Sequence, residues 1–312
     1  MQTILGAGGA IGQQLAKELT SYTSDIRLVA RHPKRVNPTD ELFSADLLDQ
    51  EQTLKAVADS EIVYLTVGLP YTAKIWERDW PRLMDNVLAA CEVSGAKLVF
   101  FDNIYMYDPS QIGQMDESTP IAPSSRKGKV RQLIAEKVLN AHREGKVQTL
   151  IARSADFYGP GIRNSVFNEL VVKNVAVGKR PQWFCSGDMP HNFTYTPDAA
   201  KATAQLGNDA SAFGRVWHLP THQDIITGKE WCKLTAEAFG VASKSPILIK
   251  PWLLRILGLF VPAMGSTVEM LYQYDRPYTF RSDAFTERYG WKATPVKVAL
   301  GEIVSAAKGG VN

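Results

Sequence analysis

Met1-Gln2-Thr3-Ile4-Leu5 runs directly into Gly6-Ala7-Gly8-Gly9-Ala10-Ile11-Gly12, and this junction decides the fold. The first five residues lean apolar and suit a buried strand. A strand that turns sharply into a helix needs a residue without Cβ, and Gly6 stands where that turn falls. Gly8 and Gly9 would let a phosphate approach bare backbone amides, and Ala10 and Ile11 open the helix whose N-terminus attracts anions. Gly12 would let that helix lie against the first strand. Ile11, Leu15 and Leu19 recur four apart, so one helix face packs on a sheet. Gly6, Gly8, Gly9, Ala10, Ile11 and Gly12 together read as a phosphate cradle.

At 312 residues the chain suits one large domain or two modest ones. A net charge of +3, with no block of Lys or Arg, argues against nucleic acid or a membrane surface as the main partner. Cys91, Cys185 and Cys232 are odd in number and far apart, which suits a reducing compartment better than a disulfide framework. With the first strand at residue 1 there is no secretory leader, so the cytoplasm is the expected location. The apolar stretch Trp252 to Met264 is broken by Arg255, Gly258 and Pro262 and is too short to span a bilayer; it reads as core or a subunit contact.

Asp25 to Ala30 reads as the second strand, ending where a dinucleotide-binding fold reads its ribose. The usual acid is replaced by Ala30-Arg31-His32-Pro33-Lys34-Arg35. A guanidinium here accepts the 2′-phosphate of NADP, so Arg31 favours NADP over NAD. Asp46 and Leu47, after another short segment, stand where an acid meets the adenine amino group. Ile62 to Gly68 reads as a buried parallel strand whose end, at Thr66, faces the cofactor. Trp80, Met84, Val87, Leu88 and Cys91 form a helical stripe, and Lys97 to Phe101 reads as the next strand. Strands alternating with helices over short links imply right-handed crossovers. The fold class is therefore α/β, a doubly wound parallel sheet or Rossmann fold over residues 1–158, with a smaller C-terminal substrate-binding domain over 159–312 that is partly interleaved with it.

In order, these signals resemble the extended short-chain dehydrogenase/reductase superfamily, in its branch of nucleotide-sugar epimerases and dehydratases. Gly6, Gly9 and Gly12 match its glycine pattern, and Asn86 to Cys91 resembles the helix ahead of its catalytic strand. Arg153-Ser154-Ala155-Asp156-Phe157-Tyr158-Gly159-Pro160-Gly161 resembles the stretch after its sixth strand. Phe193 to Asp198 and Tyr289-Gly290-Trp291-Lys292-Ala293-Thr294-Pro295 resemble its two later signals. The resemblance implies hydride chemistry on a small-molecule substrate. It also implies a homodimer through the helices containing Trp80 to Cys91 and Arg126 to Ala141.

The catalytic residues depart from the family. Its Ser or Thr falls on Asn103, or on Phe101 in an alignment shifted by two residues. Its Tyr-x-x-x-Lys falls on Lys127 and Arg131. Lys127 and Arg131 are one helical turn apart, so Arg131 is expected to lower the Lys127 pKa from about 10.4 and make it a proton donor and acceptor near neutrality. Alternatively Arg131 holds the ribose hydroxyls while Asn103 bonds a carbonyl. Tyr105 is the other candidate acid, since strand alternation puts Asn103, Tyr105 and Tyr107 on one side if the extended backbone continues. An atypical member of this kind is an NADP-using enzyme or, in the alternative, a non-catalytic NADP-binding redox sensor.

The C-terminal half mixes aromatic and polar residues around Trp183 to His191, a composition suited to a pocket, so Trp183, His191 and Tyr195 are the expected substrate contacts. Cys185 with His191 would make a nucleophilic pair, a weaker reading than substrate contact. His218 and His222 are separated by Pro220 and do not share a helix face, so no metal site is expected.

Overall fold

The computed structural model describes residues 1–162, 165–258 and 262–309. The chain forms two compact units. The first takes Met1–Met106, Arg126–Ser154 and Ala199–Leu219; the second takes Tyr107–Ser125, Ala155–Asp198 and the chain from Pro220 onward. In chain order the elements begin β1 (Gln2–Leu5), α1 (Ala10–Leu19), β2 (Ile26–Ala30), β3 (Glu41–Ser44), α2 (Gln50–Val57), β4 (Ile62–Leu65), α3 (Ala73–Ser94), β5 (Lys97–Asp102), α4 (Arg126–Arg143) and β6 (Thr149–Arg153). They continue with β7 (Phe157–Tyr158), α5 (Lys173–Ala176), β8 (Gln182–Phe184), β9 (Thr194–Tyr195), α6 (Thr196–Gly207), β10 (Val216–His218), α7 (Gly228–Phe239), β11 (Ile247–Ile249) and α8 (Pro251–Gly258).

The first unit is built on a seven-stranded sheet in the order β10-β6-β5-β4-β1-β2-β3, every pairing parallel, with helices flanking it. β1, β4 and β6 are buried along their whole length, as expected of strands covered on both faces. One face carries a core in which Trp76, Trp80, Leu83, Met84 and Val87 of α3 meet Val130, Ile134 and Val138 of α4. Each large apolar side chain buried here contributes about 1.5–3 kcal/mol. Asp49 caps α2 by accepting from the Gln52 amide at 2.9 Å, and Gly95, at φ +71°, closes α3 in the left-handed region.

Two strand ends differ from the sequence expectation. β4 stops at Leu65 rather than Gly68. The Thr66 amide still bonds the Leu5 carbonyl, at 2.9 Å, but the chain then crosses so close to Gly6 that a Cβ there would lie 2.8 Å from the Val67 backbone. β5 runs one residue further, through Asp102, which pairs in register with Arg153.

The second unit contains two small parallel pairs, β7 with β9 and β8 with β11. Its core is aromatic, with Tyr158, Phe167, Phe193 and Trp231 meeting edge-on or tilted at centroid distances from 5.1 to 6.2 Å. Thr227 and Glu230 form a reciprocal capping box at the start of α7. The stretch Trp252 to Met264 lies partly outside the described residues. Of its described residues Leu254 is buried, whereas Trp252 is 61% exposed and Leu253, Ile256 and Met264 are exposed as well, so core packing accounts for only part of it.

Candidate active site

The glycine loop is shaped as a cradle. Gly6 has φ +94°, in the region that favours glycine, and its amide and that of Ala7 bond the Val29 carbonyl at 2.9 and 3.1 Å. Gly9 is the N-cap of α1 and supplies no side-chain cap, so the amides that open the helix at Ala10 and Ile11 have no partner in the first turn. A Cβ on Gly12 would come within 2.7 Å of the Gly6 carbonyl oxygen and 2.8 Å of Ala7 Cα, so what α1 approaches so closely is the turn itself. Around Gly8 there is open space within 4 Å. Uncapped amides, a helix dipole and room above Gly8 fit a phosphate-bearing dinucleotide.

Arg31 follows β2 on an exposed link, where its carbonyl accepts from Ser44 Oγ at 2.8 Å. Lys34 is exposed beside it, while Arg35 turns back to the carbonyls of Pro38 and Asp40. Asp46 is exposed, and its Oδ1 accepts from the Leu48 amide at 3.0 Å. Leu47 is buried, and its carbonyl accepts from Asn86 Nδ2 at 3.0 Å, tying this edge to α3. Thr66 is half-buried, with Oγ1 3.2 Å from the Leu5 carbonyl at the end of β1.

At the end of β5 the chain does not stay extended. Asp102 Oδ1 accepts from the Asn103 amide at 2.8 Å, and Asn103 Oδ1 accepts from the Tyr105 amide at 3.1 Å, a side-chain turn that bends the backbone away. The condition for aligning Asn103, Tyr105 and Tyr107 therefore fails, and Tyr107 belongs to the second unit.

Tyr105 remains half-buried, stacked on Trp76 at 6.1 Å and 18°. Its hydroxyl receives a hydrogen bond from Tyr71 Oη at 3.2 Å. Lys127 is fully buried, its Nζ 3.9 Å from the centre of the Tyr71 ring, a cation–π seat. Arg131 points elsewhere. Its Nε donates to Asp102 Oδ1 at 2.8 Å, Nη2 donates to the same oxygen, and its guanidinium lies 4.7 and 4.8 Å from the Trp80 and Phe100 ring centres. Arg153 Nη2 reaches the other oxygen, Oδ2, at 3.1 Å. Asp102 thus pairs with the guanidinium that was expected to act on Lys127. Tyr71 enters this arrangement without a signal in the sequence, whereas Asp102 falls on the family's acidic pair in the alignment shifted by two residues and Arg153 opens its motif.

In the second unit Trp183, His191 and Tyr195 are all buried. His191, 2% exposed, is sandwiched between Tyr274 at 4.6 Å and Tyr278 at 4.2 Å, with Nδ1 facing the Gln273 carbonyl and Nε2 facing Asp156 Oδ2, each at 3.2 Å. Trp183 packs edge-on against His191 at 5.9 Å. Tyr195 Oη donates to Glu302 at 2.5 Å; burial, with that carboxylate, raises its pKa. Asp156 keeps some exposure and also accepts from Tyr274 Oη at 3.0 Å. Cys185 bonds the Leu271 carbonyl at 3.7 Å, and burial pushes its thiol up to about 11, which leaves it a poor nucleophile. Asp198 accepts from the amide and hydroxyl of Thr294 at 2.6 and 2.8 Å, so the two later sequence signals meet. Among the described residues no group of His, Cys, Asp and Glu is placed to hold a metal ion.

A sequence model of the NAD dependent epimerase/dehydratase family matches residues 3–217. The chain belongs to this family. Solved structures of similar fold include the UDP-glucose 4-epimerase of Thermus thermophilus in complex with NAD, 17% identical over 100% of each chain with a TM-score of 0.79. The dTDP-glucose 4,6-dehydratase of Bacillus anthracis in complex with NAD is 15% identical over 99% of this chain and 97% of that one, with a TM-score of 0.81. The UDP-N-acetylglucosamine 4-epimerase of Bacillus cereus is 14% identical over 100% and 98%, with a TM-score of 0.77. At these identities the likeness is one of fold. No curated protein sequence matches. Among the described residues of this epimerase/dehydratase family member no helix is long and apolar enough to cross a membrane.

Proposed function

We propose that the chain is an enzyme that holds a nicotinamide dinucleotide in the Gly6–Gly12 cradle and transfers hydride to or from a small polar, sugar-like or carbonyl substrate. The cradle carries this reading: positive-φ Gly6, an uncapped helix start and a Gly12 with no space for a side chain. Family membership supports it, as do relatives of the same fold solved with NAD. The cofactor supplies a hydride donor or acceptor.

The chain's own residues bind and move protons. The amides from Gly8 to Ile11 hold the diphosphate, Arg31 takes a 2′-phosphate and so prefers NADP, and Asp46, Leu47 and Thr66 border the dinucleotide. The proton at the substrate oxygen passes through Tyr105 or Lys127. Asn103 and Arg131, tied to the Tyr105 amide and to Asp102 respectively, fix the backbone that presents Tyr105. Trp183, His191 and Tyr195, being buried, back the substrate wall from within the second unit. A homodimer through α3 and α4 belongs to the same reading, as does a cytoplasmic location, which three free cysteines favour.

Calorimetric titration of NAD⁺ and NADP⁺ into the wild type and Arg31→Ala tests it. The substitution should weaken NADP⁺ by about 10- to 100-fold, the value of a hydrogen bond to a charged group, and leave NAD⁺ unchanged. Equal losses for both would remove Arg31 from the 2′-phosphate. Absence of binding by either dinucleotide would overturn the whole reading.

A further inference from the structure

We propose that the second unit carries a surface that lies on a bilayer rich in anionic phospholipid, formed by the outer face of α8 and by cations from two separate stretches of chain. This surface does not depend on the hydride-transfer reading. On α8 Leu254 is buried, whereas Trp252 is 61%, Ile256 49% and Leu253 38% exposed. At about 100° of turn per residue, Trp252 and Ile256 sit about 20° to either side of one line down the helix, Leu253 and Arg255 flank that line at about 80°, and Leu254 lies opposite. The helix therefore turns its apolar side outward. Ile247, which opens the preceding strand β11, adds another exposed apolar side chain. An apolar patch of this kind marks a surface that meets a partner. With eight residues α8 is about 12 Å long, far short of the ~30 Å of a hydrocarbon core, so it rests on the bilayer and does not span it.

Charge decides what covers this face. Residues 170–187 and 238–268 contain no Asp or Glu, although the chain has 32 of them. The parallel pairing of β8 with β11 brings the two stretches together. Just ahead of it the Ile247 amide donates to the Pro181 carbonyl at 2.9 Å, Arg180 Nε to the Ser245 carbonyl at 3.1 Å and Lys244 Nζ to the Gly178 carbonyl at 2.7 Å. Carbonyls hold these cations without neutralising them. Lys179, Arg180, Lys244, Lys250 and Arg255 are all exposed, while Lys173 pairs with Glu169 just outside the first stretch. Cations beside exposed Trp, Leu and Ile match anionic head groups over hydrocarbon, with the indole at the boundary. A second copy laid on the same patch about a twofold axis would set the cations against their own equivalents, a repulsive contact. The whole-chain charge of +3 conceals the patch because its cations come from stretches far apart in sequence.

The test is co-sedimentation of the full chain with vesicles of phosphatidylcholine alone or of phosphatidylcholine mixed with phosphatidylglycerol. The wild type should sediment with the mixed vesicles only, and less so as salt rises. Lys250→Gln combined with Arg255→Gln should weaken partitioning by about 25-fold, at about fivefold per cation. Trp252→Gln should weaken it by about tenfold, and Ile256→Gln should act in the same direction. The tryptophan emission of the wild type should shift to the blue on mixed vesicles, and Trp252→Phe should lose that shift. Because these side chains are exposed, all the variants should melt like the wild type. A wild type that stays in the supernatant with mixed vesicles overturns the proposal. So do Trp252→Gln and Ile256→Gln that both sediment like the wild type, since charge alone would then explain adsorption. Sedimentation velocity without lipid supplies the last arm: an assembly that Trp252→Gln dissociates means that a second copy covers this face, which also overturns the proposal, and an unchanged mass supports it.

Discussion

Replacing Asp102 by Asn isolates the charge on which the end of β5 depends. The carboxylate is 1% exposed and accepts from Arg131 Nε at 2.8 Å and Arg153 Nη2 at 3.1 Å, with the Asn103 amide as a further donor at 2.8 Å. This carboxylate bonds both of the buried guanidinium groups. Asparagine keeps the shape and removes that charge from beside both guanidinium groups. Breaking a buried ion pair from one side costs about 3–5 kcal/mol, and Asp102→Asn breaks two pairs with one change, which places it in the upper half of that range. At roughly 2–4 °C per kcal/mol for a domain of this size, the melting temperature should fall by about 8–20 °C. Arg131→Met instead keeps the pair of Asp102 with Arg153, so it should cost less. Thermal melts and urea unfolding followed by circular dichroism at pH 7 measure both. A loss under about 1 kcal/mol for Asp102→Asn, or a larger loss for Arg131→Met, would refute the reasoning.

The remaining expectations concern the cradle and a buried histidine. Gly12→Ala drives Cβ to 2.7 Å from the Gly6 carbonyl and should cost about 1–3 kcal/mol of stability, read by the melting temperature. Gly8→Ala meets nothing within 4 Å and should melt like the wild type while binding dinucleotide more weakly, so calorimetry and melting together separate folding from phosphate approach. His222 lies against Trp231, and burial pushes its pKa down to about 4 against the opposing pull of Asp224. Its unfolded value is about 6.5, so the unfolded chain takes up the proton first: the contribution is complete above pH 6.5 and is lost as pH falls toward 4. Between pH 7 and 4.5 the wild type should lose about 2–3 kcal/mol more than His222→Gln in denaturant titrations, and parallel slopes would contradict this assignment.

The parallel sheet was legible because its signals are local: the apolar strand, the glycine turn and the α3 stripe from Trp80 to Cys91 each lie within one short window. The catalytic region was less so. The spacing of Lys127 and Arg131 correctly puts them one turn apart on α4, but Arg131 answers to Asp102, a partner brought in by the sheet from 29 residues away. The expected line of Asn103, Tyr105 and Tyr107 assumed an extended backbone, which the side-chain turn at Asn103 ends. Tyr71 carried no signal because what sets it apart is the tertiary placement of one hydroxyl and one ring. Trp183, His191 and Tyr195 show another limit, since aromatic composition reads alike for a pocket lining and for a packed core, and only their burial distinguishes the two.

The path of the chain through its two units has a consequence for synthesis. The sheet of the first unit is seeded at an interior position by β1, the first strand to be made, and widens in both directions. Its last edge strand, β10, follows Ala155–Asp198, a segment that belongs to the second unit. A ribosome therefore cannot release a finished first unit before it has also produced part of the second. Until Val216–His218 emerges, the open edge of β6 offers a row of unpaired backbone groups to any neighbouring chain.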